Sequence, residues 1–298
     1  MRIAIATDAW LPQVNGVVTT LRHTIAELER IGHTMKLITA ERLRTFAYPT
    51  YPEIRLAVAP GPHVARWIDD FEPDAVHVAT EGPIGLAARR HCMRTGRPFT
   101  TSYHTQFPEF IHARCRLPLS ISYRWVRWFH NPACAVMVAT PSVQERLERA
   151  GFRNIERWSR GVDPAVFKPA PRQRLDGRPI FLYVGRVAIE KNIADFLKLD
   201  LPGTKWVVGD GPDRPSLQAR FPDVAFHGAK FGAELAHFYQ QADVFVFPSR
   251  TDTFGLVLIE AMACGTPVAA YPVMGPKDVI ADPAAGALSE DLRAAAQV

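Results

Sequence analysis

Cysteine is scarce in this sequence. The four residues, Cys92, Cys115, Cys134 and Cys264, are far apart in a chain of 298, with no C-x-x-C pair and no Cys/His cluster. That excludes a disulfide scaffold and a structural zinc site, and it reads as isolated thiols in a reducing compartment. Long apolar runs are also missing. No stretch reaches the ~18 consecutive apolar residues of a membrane span. The opening MRIAIATDAW meets Asp8 before a signal peptide's apolar region is complete, so no targeting segment is expected. Neither sign of charge dominates, with 35 Lys+Arg against 30 Asp+Glu, and 47% of residues are hydrophobic. This excludes a disordered or collagen-like chain. At roughly 150 residues per domain, the length predicts two domains, each with its own core.

The small basic excess is uneven. Residues 1–165 carry 21 Lys+Arg and 15 Asp+Glu, whereas residues 166–298 carry 14 and 15. The first half is therefore the one suited to an anionic surface or substrate.

Short apolar runs alternate with amphipathic stretches along the chain. Strands are expected at 2–7, 35–39, 75–78, 99–102 and 135–139, with helices at 17–31, 85–95 and 142–150. The pattern pauses at 161–179, which holds four prolines after Val162 together with Arg172, Arg174 and Arg178. It restarts with strands at 179–184, 205–208, 243–247 and 267–270, and helices at 193–199, 215–220, 234–240 and 255–264. This is the rhythm of parallel sheets flanked by helices. The expected division is an N-terminal domain at 1–162, a linker at 163–178 and a C-terminal domain at 179–298. Two such α/β domains imply a cleft between them, a common place for small-molecule sites.

Three segments carry chemistry. TDAWLPQVNGVVTT places Gly16 before a predicted helix, where backbone approach and free N–H groups suit an anion. There is no G-x-G-x-x-G, so the dinucleotide fingerprint is not met. VGRVAIEKN sets Arg186 and Lys191 directly after a buried strand. Two cations there fit a diphosphate, although Glu190 between them also allows a surface salt bridge. SRTDTFGLVLIEAMACGTPV separates Asp252 from Glu260 by seven residues, with the second acid inside an apolar helix. An unpartnered carboxylate there is costly, so Glu260 needs a donor, and sugar hydroxyls are good ones.

Together these motifs resemble the retaining nucleotide-sugar glycosyltransferases of the GT-B fold, the large group with an E-x-seven-E signature. The matching features are the NGV loop, the GR…K motif, the GDGP turn that begins at Gly209, the acid–seven–Glu spacing and the GTPV strand entry. SYHTQFPEF and GTPVAAYPVMGP look most like bacterial and plastid lipid- and mannose-type members. The resemblance implies two Rossmann-like domains whose parallel sheets face a central cleft. It implies that Arg186 and Lys191 bind the donor diphosphate and stabilise it as the leaving group. Glu260 would hold the ribose, and Asp252 with the N–H groups of Phe254, Gly255 and Leu256 would hold the transferred sugar and diphosphate. Gly16 would let its loop close over the phosphates, Gly209 joins the donor-binding set, and His104 would lie beside the donor sugar. It further implies front-face displacement with retention. No D-x-D pair occurs and the cations stand in for a metal, so no metal and no other cofactor is expected. Two departures stand out. Asp252 replaces the usual first Glu, and the chain stops at Val298, so a shortened C-terminal domain is expected.

The acceptor side is sought in residues 110–131, FIHARCRLPLSISYRWVRWFHN, which carry Arg114, Arg116, Arg124 and Arg127 with Trp125 and Trp128. Basic residues mixed with Trp are what an interfacial helix presents to anionic lipid. An amphipathic helix with its aromatics in the first core fits the same pattern. The expected activity is hexose transfer from a UDP- or GDP-linked donor to a lipid or lipid-linked hydroxyl, in the cytoplasm and peripheral to the inner membrane face. The alternatives are a soluble glycan mannosyltransferase using GDP-mannose, an inactive nucleotide-sugar-binding homologue, and a GT-B-like epimerase or phosphorylase. No nucleic acid partner is expected.

Overall fold

A computed structural model describes residues 1–48, 51–172 and 177–297, excluding the side chains of 51–53, 110 and 113–115. Arg174 of the expected linker and the side chain of Arg114 therefore lie outside the described residues. The chain divides into two compact units, Met1–Ser159 and Arg160–Val298.

In the first unit the elements are β1 (Arg2–Ala6), α1 (Gly16–Arg30), β2 (Thr34–Ile38), β3 (Thr45–Tyr48), β4 (Tyr51–Ala57), α2 (Gly61–Phe71) and β5 (Ala75–Val78). Then come α3 (Pro83–Thr95), β6 (Thr100–Ser102), α4 (Phe107–Cys115), α5 (Leu119–His130), β7 (Ala135–Val138), α6 (Pro141–Arg149) and β8 (Ile155–Arg157). Six strands form a parallel sheet in the order β2-β1-β5-β6-β7-β8, and β3 and β4 pair as a separate antiparallel hairpin.

The second unit runs β9 (Ile180–Val184), α7 (Ile193–Lys198), β10 (Thr204–Val208), α8 (Arg214–Arg220), β11 (Ala225–Gly228), α9 (Gly232–Gln241) and β12 (Val244–Phe247). It ends with α10 (Leu256–Ala263), β13 (Val268–Ala270), α11 (Pro276–Val279), β14 (Gly286–Leu288) and α12 (Leu292–Ala296). Its parallel sheet has the order β11-β10-β9-β12-β13-β14. All five residues of β9 are buried. Ile180, Leu182 and Val184 pack into one core layer, and Phe181 and Tyr183 into the other. Alternating side chains of a central strand thus feed two helix-covered faces, which is why IFLYV is an unbroken apolar run.

Both sheets are the α/β architecture the sequence predicts. The segment read as a linker behaves differently. Phe167 is buried in the second core, Arg172 pairs with Asp243 at 3.1 Å, and the Lys168 carbonyl accepts from Gln240 at 2.8 Å. Residues 163–172 therefore dock on the second unit, because Phe167 gains more from burial than a solvated tether would.

Candidate functional site

In an open parallel sheet the ligand crevice opens beyond the strand C-termini where the strand order reverses. In the second unit that point lies between β9 and β12, which carry the 185–192 and 248–255 loops at their ends. Three contacts lace these loops together. Asn192 Nδ2 donates to the Pro248 carbonyl at 3.4 Å, Thr251 Oγ1 to the Glu190 carbonyl at 3.3 Å, and Lys191 Nζ to Asp252 Oδ1 at 2.5 Å. The partner of Lys191 is thus Asp252, not the sequence neighbour Glu190. Burial alone would raise the Asp252 pKa, but the Lys191 ammonium and the Ser249 hydroxyl hold it below the ordinary carboxylate value.

Arg186 sits on the same loop, its backbone fixed by Tyr183, whose buried hydroxyl donates to the Arg186 carbonyl at 2.7 Å. The loop after β10 packs directly behind it. At Gly209 (φ +142°) a Cβ would stand 1.9 Å from the Gly185 carbonyl oxygen, so only glycine lets the two loops approach this closely. Gly255 caps α10 in the left-handed region (φ +82°), and among the described residues no side-chain cap hydrogen bond closes the helix start. The helix start after Phe254 therefore keeps donors for an anion.

Glu260 lies on the second turn of α10. Its need for a donor is met within the protein: the hydroxyl of Tyr239 on α9 donates to Glu260 Oε2 at 2.9 Å. Burial raises the carboxyl pKa above its ordinary value, and this hydrogen bond partly offsets the rise. The sequence reading missed Tyr239. Its only signal was the lone acid in LVLIEAMA, which demanded a partner without naming it.

The first unit treats its helix starts differently. Gly16 opens α1 as expected, but Asn15 Oδ1 accepts from the N–H groups of Val17 and Val18, both at 3.0 Å, so these two donors are already paired. At the reversal between β1 and β5, Asp8 accepts from Ile84 N at 2.9 Å, Gly85 N at 3.2 Å and Thr80 Oγ1 at 2.9 Å. Its own carboxylate fills the start of α3. Burial raises its pKa, against the lowering effect of those three donors. His104 follows β6 and packs edge-on to Trp158, ring centroids 6.3 Å apart.

Residues 110–131 form parts of α4 and α5 rather than one helix, because Arg116 (φ +55°) and Pro118 end the first. The aromatics divide. Phe129 is fully buried, whereas Trp125 and Trp128 are 37% and 53% exposed. The basic residues divide as well. Arg124 and Arg116 are exposed, but Arg127 donates to the Ala150 carbonyl at 2.8 Å. Arg89 lies 4.0 Å from the Trp128 ring centroid. Between α4 and α5 lies an apolar cavity of about 230 Å³, lined by Phe107, Ile111, Leu117, Ile121, Trp125 and Val126. No helix among the described residues is long and apolar enough to cross a membrane.

Comparison with known proteins agrees with this layout. Residues 14–166 match the family described as Glycosyltransferase Family 4, and residues 178–298 match Glycosyl transferases group 1. The chain is 33% identical to the GDP-mannose-dependent alpha-mannosyltransferase of Mycobacterium tuberculosis, over 94% of this chain and 81% of that one. It is 29% identical to the alpha-monoglucosyldiacylglycerol synthase of Streptococcus pneumoniae, over 97% and 75%. Among solved structures, sucrose-phosphate synthase from Thermosynechococcus elongatus superposes with a TM-score of 0.71 at 20% identity, covering 93% of this chain and 82% of that one.

Proposed function

Since the chain belongs to the GT-B glycosyltransferases, we propose that it transfers mannose from GDP-mannose to a hydroxyl of a lipid or lipid-linked acceptor, with retention and without a metal. The observation that carries this reading is the Lys191–Asp252 contact across one strand-order reversal, with Arg186 on the same loop as Lys191 and the α10 start following the loop of Asp252. The donor is suggested by the mannosyltransferase relative and the acceptor class by the diacylglycerol-linked one.

The chemistry follows from charge. As the sugar C1–O bond to the diphosphate breaks, positive charge grows on the sugar and negative charge on the leaving oxygens. Arg186, Lys191 and the N–H groups at the start of α10 are preorganised for that negative charge. The acceptor oxygen bonds to C1 on the face the diphosphate leaves, and its proton passes to the departing phosphate oxygen. GDP is released and the anomeric configuration is kept. Asp252 positions sugar hydroxyls in this scheme and is not a nucleophile. Glu260 holds the ribose hydroxyls. Gly16 and His104 lie in the first unit, where the Asn15 side chain already pairs the Val17 and Val18 N–H groups beside the glycine.

The α4–α5 face supports a lipid acceptor. Residues 110–131 contain no acid, and Ile121, Trp125 and Trp128 are exposed beside Arg116 and Arg124. Such a surface binds an anionic bilayer peripherally. Mannose transfer from GDP-mannose to extracted membrane lipid, followed by anomer analysis of the product, tests the whole reading. An inverted anomer or a water-soluble product contradicts it.

A further inference from the structure

Glu260 has one protein donor among the described residues, and that donor has little freedom to move. Tyr239 is 0% exposed. Its ring packs edge-on to Phe167 and Phe245, with centroids 6.1 and 5.6 Å away. Thr266 Oγ1 donates to its backbone carbonyl at 2.6 Å. From this fixed position the phenol donates to Glu260 Oε2 at 2.9 Å. A phenol has one proton to give. It therefore engages one carboxylate oxygen and leaves the lone pairs of Oε1 for a ligand. Burial also holds the phenol neutral, well above its ordinary pKa, so it remains a donor at every working pH.

We propose that Tyr239 is a positioning residue for nucleotide binding: by hydrogen bonding to Oε2 it fixes the Glu260 side chain and presents Oε1 to the vicinal hydroxyls of the ribose. This rests on the reading of Glu260 as the ribose-holding acid. A carboxylate recognises a diol best when ionised and held in one rotamer, and the Tyr239 hydrogen bond favours both, by partly offsetting the effect of burial and by fixing Oε2. Without its donor, a carboxyl surrounded by apolar side chains takes up a proton more readily and loses its fixed direction.

The test is calorimetric titration of the full chain with GDP and with 2′,3′-dideoxy-GDP, and in parallel with UDP and its dideoxy form. The readout is the preference for ribose over dideoxyribose, which does not depend on the fraction of protein folded. Tyr239→Phe keeps the ring packing and removes only the donor. It is expected to weaken binding of the ribose nucleotide about tenfold, the range of a hydrogen bond to a charged group. Dideoxy binding should stay within about twofold of wild type on the same reasoning. The acid limb of ribose-nucleotide binding should also move to higher pH. Equal losses for both nucleotides, or an unchanged preference, overturn the proposal. Glu260→Gln separates it from the reading beneath it. If E260Q keeps the full ribose preference, both fall. If E260Q loses the preference and Y239F keeps it, Glu260 stands as the ribose acid and Tyr239 is only a packing residue.

Discussion

Lys191 and Asp252, 61 residues apart in the chain, meet at 2.5 Å across the point where the second sheet reverses its strand order. Neither side chain is wholly buried, at 27% and 21% exposed, so the pair stays open to a ligand. In the ligand-free protein it pairs the cation and the anion to which the proposed function assigns the diphosphate and the sugar.

Lys191→Met should cost about 10²–10³ in kcat/KM, the size of losing one preorganised group at a developing charge. It should also move the acid limb of the remaining activity. With Lys191 present, the Asp252 pKa lies below its ordinary value, and the pair's contribution is lost only as pH falls through that lowered pKa. Without Lys191, burial is opposed only by the Ser249 hydroxyl and the carboxyl titrates at higher pH. A pH profile of kcat/KM for both proteins checks the direction.

Glu260→Gln should raise the melting temperature of the ligand-free protein at neutral pH while weakening nucleotide binding. Burial raises the Glu260 pKa in the folded state, so the cost of the ionised form grows as pH rises from the unfolded value through the folded one. The gain should therefore vanish below the ordinary glutamate range. Melting curves at pH 4 and pH 8 separate this trade of stability for binding from a general effect of the substitution.

Asp8→Ala should destabilise the first unit by about 2–3 kcal/mol, because Ile84 N and Gly85 N would lose their acceptor at a buried helix start. Asp8→Asn keeps an acceptor oxygen and should cost less. Gly82→Ala should resemble Asp8→Ala, since its Cβ would stand 2.4 Å from Asp8 Cγ. Urea unfolding of the three variants gives the order.

Replacing Ile121, Trp125 and Trp128 with Ser should lower affinity for anionic vesicles and leave GDP binding unchanged, since none of the three lies in the second unit, to which the proposed function assigns the nucleotide. The wild-type protein should bind anionic vesicles more tightly than neutral ones, and more weakly as salt rises. Equal binding to both would remove the electrostatic part of the membrane reading.

Much of the second unit was legible because its signals are local. An unbroken apolar run such as 180–184 reads as a central strand, as found. Pairings across the fold were not legible. Nothing in the sequence joins Lys191 to Asp252 rather than to Glu190, or Tyr239 to Glu260, because both contacts depend on strand order. In the first unit, α2 was missed although Val64, Ile68 and Phe71 show helical spacing. The β3–β4 hairpin was missed because β3 is largely exposed and lacks a buried alternation. The sequence assigned no role to the side chains of Asn15 and Asp8, yet each accepts from N–H groups at a helix start.

The most direct measurement is nucleoside diphosphate release in chelator, with GDP-mannose, UDP-glucose, UDP-galactose and UDP-glucuronate offered in turn, with and without vesicles of diacylglycerol-based glycolipid. The account predicts GDP release from GDP-mannose that needs lipid, is unaffected by the chelator and is lost in Lys191→Met. Release that requires added Mn²⁺ or Mg²⁺, or that ignores lipid and Lys191 alike, would contradict it.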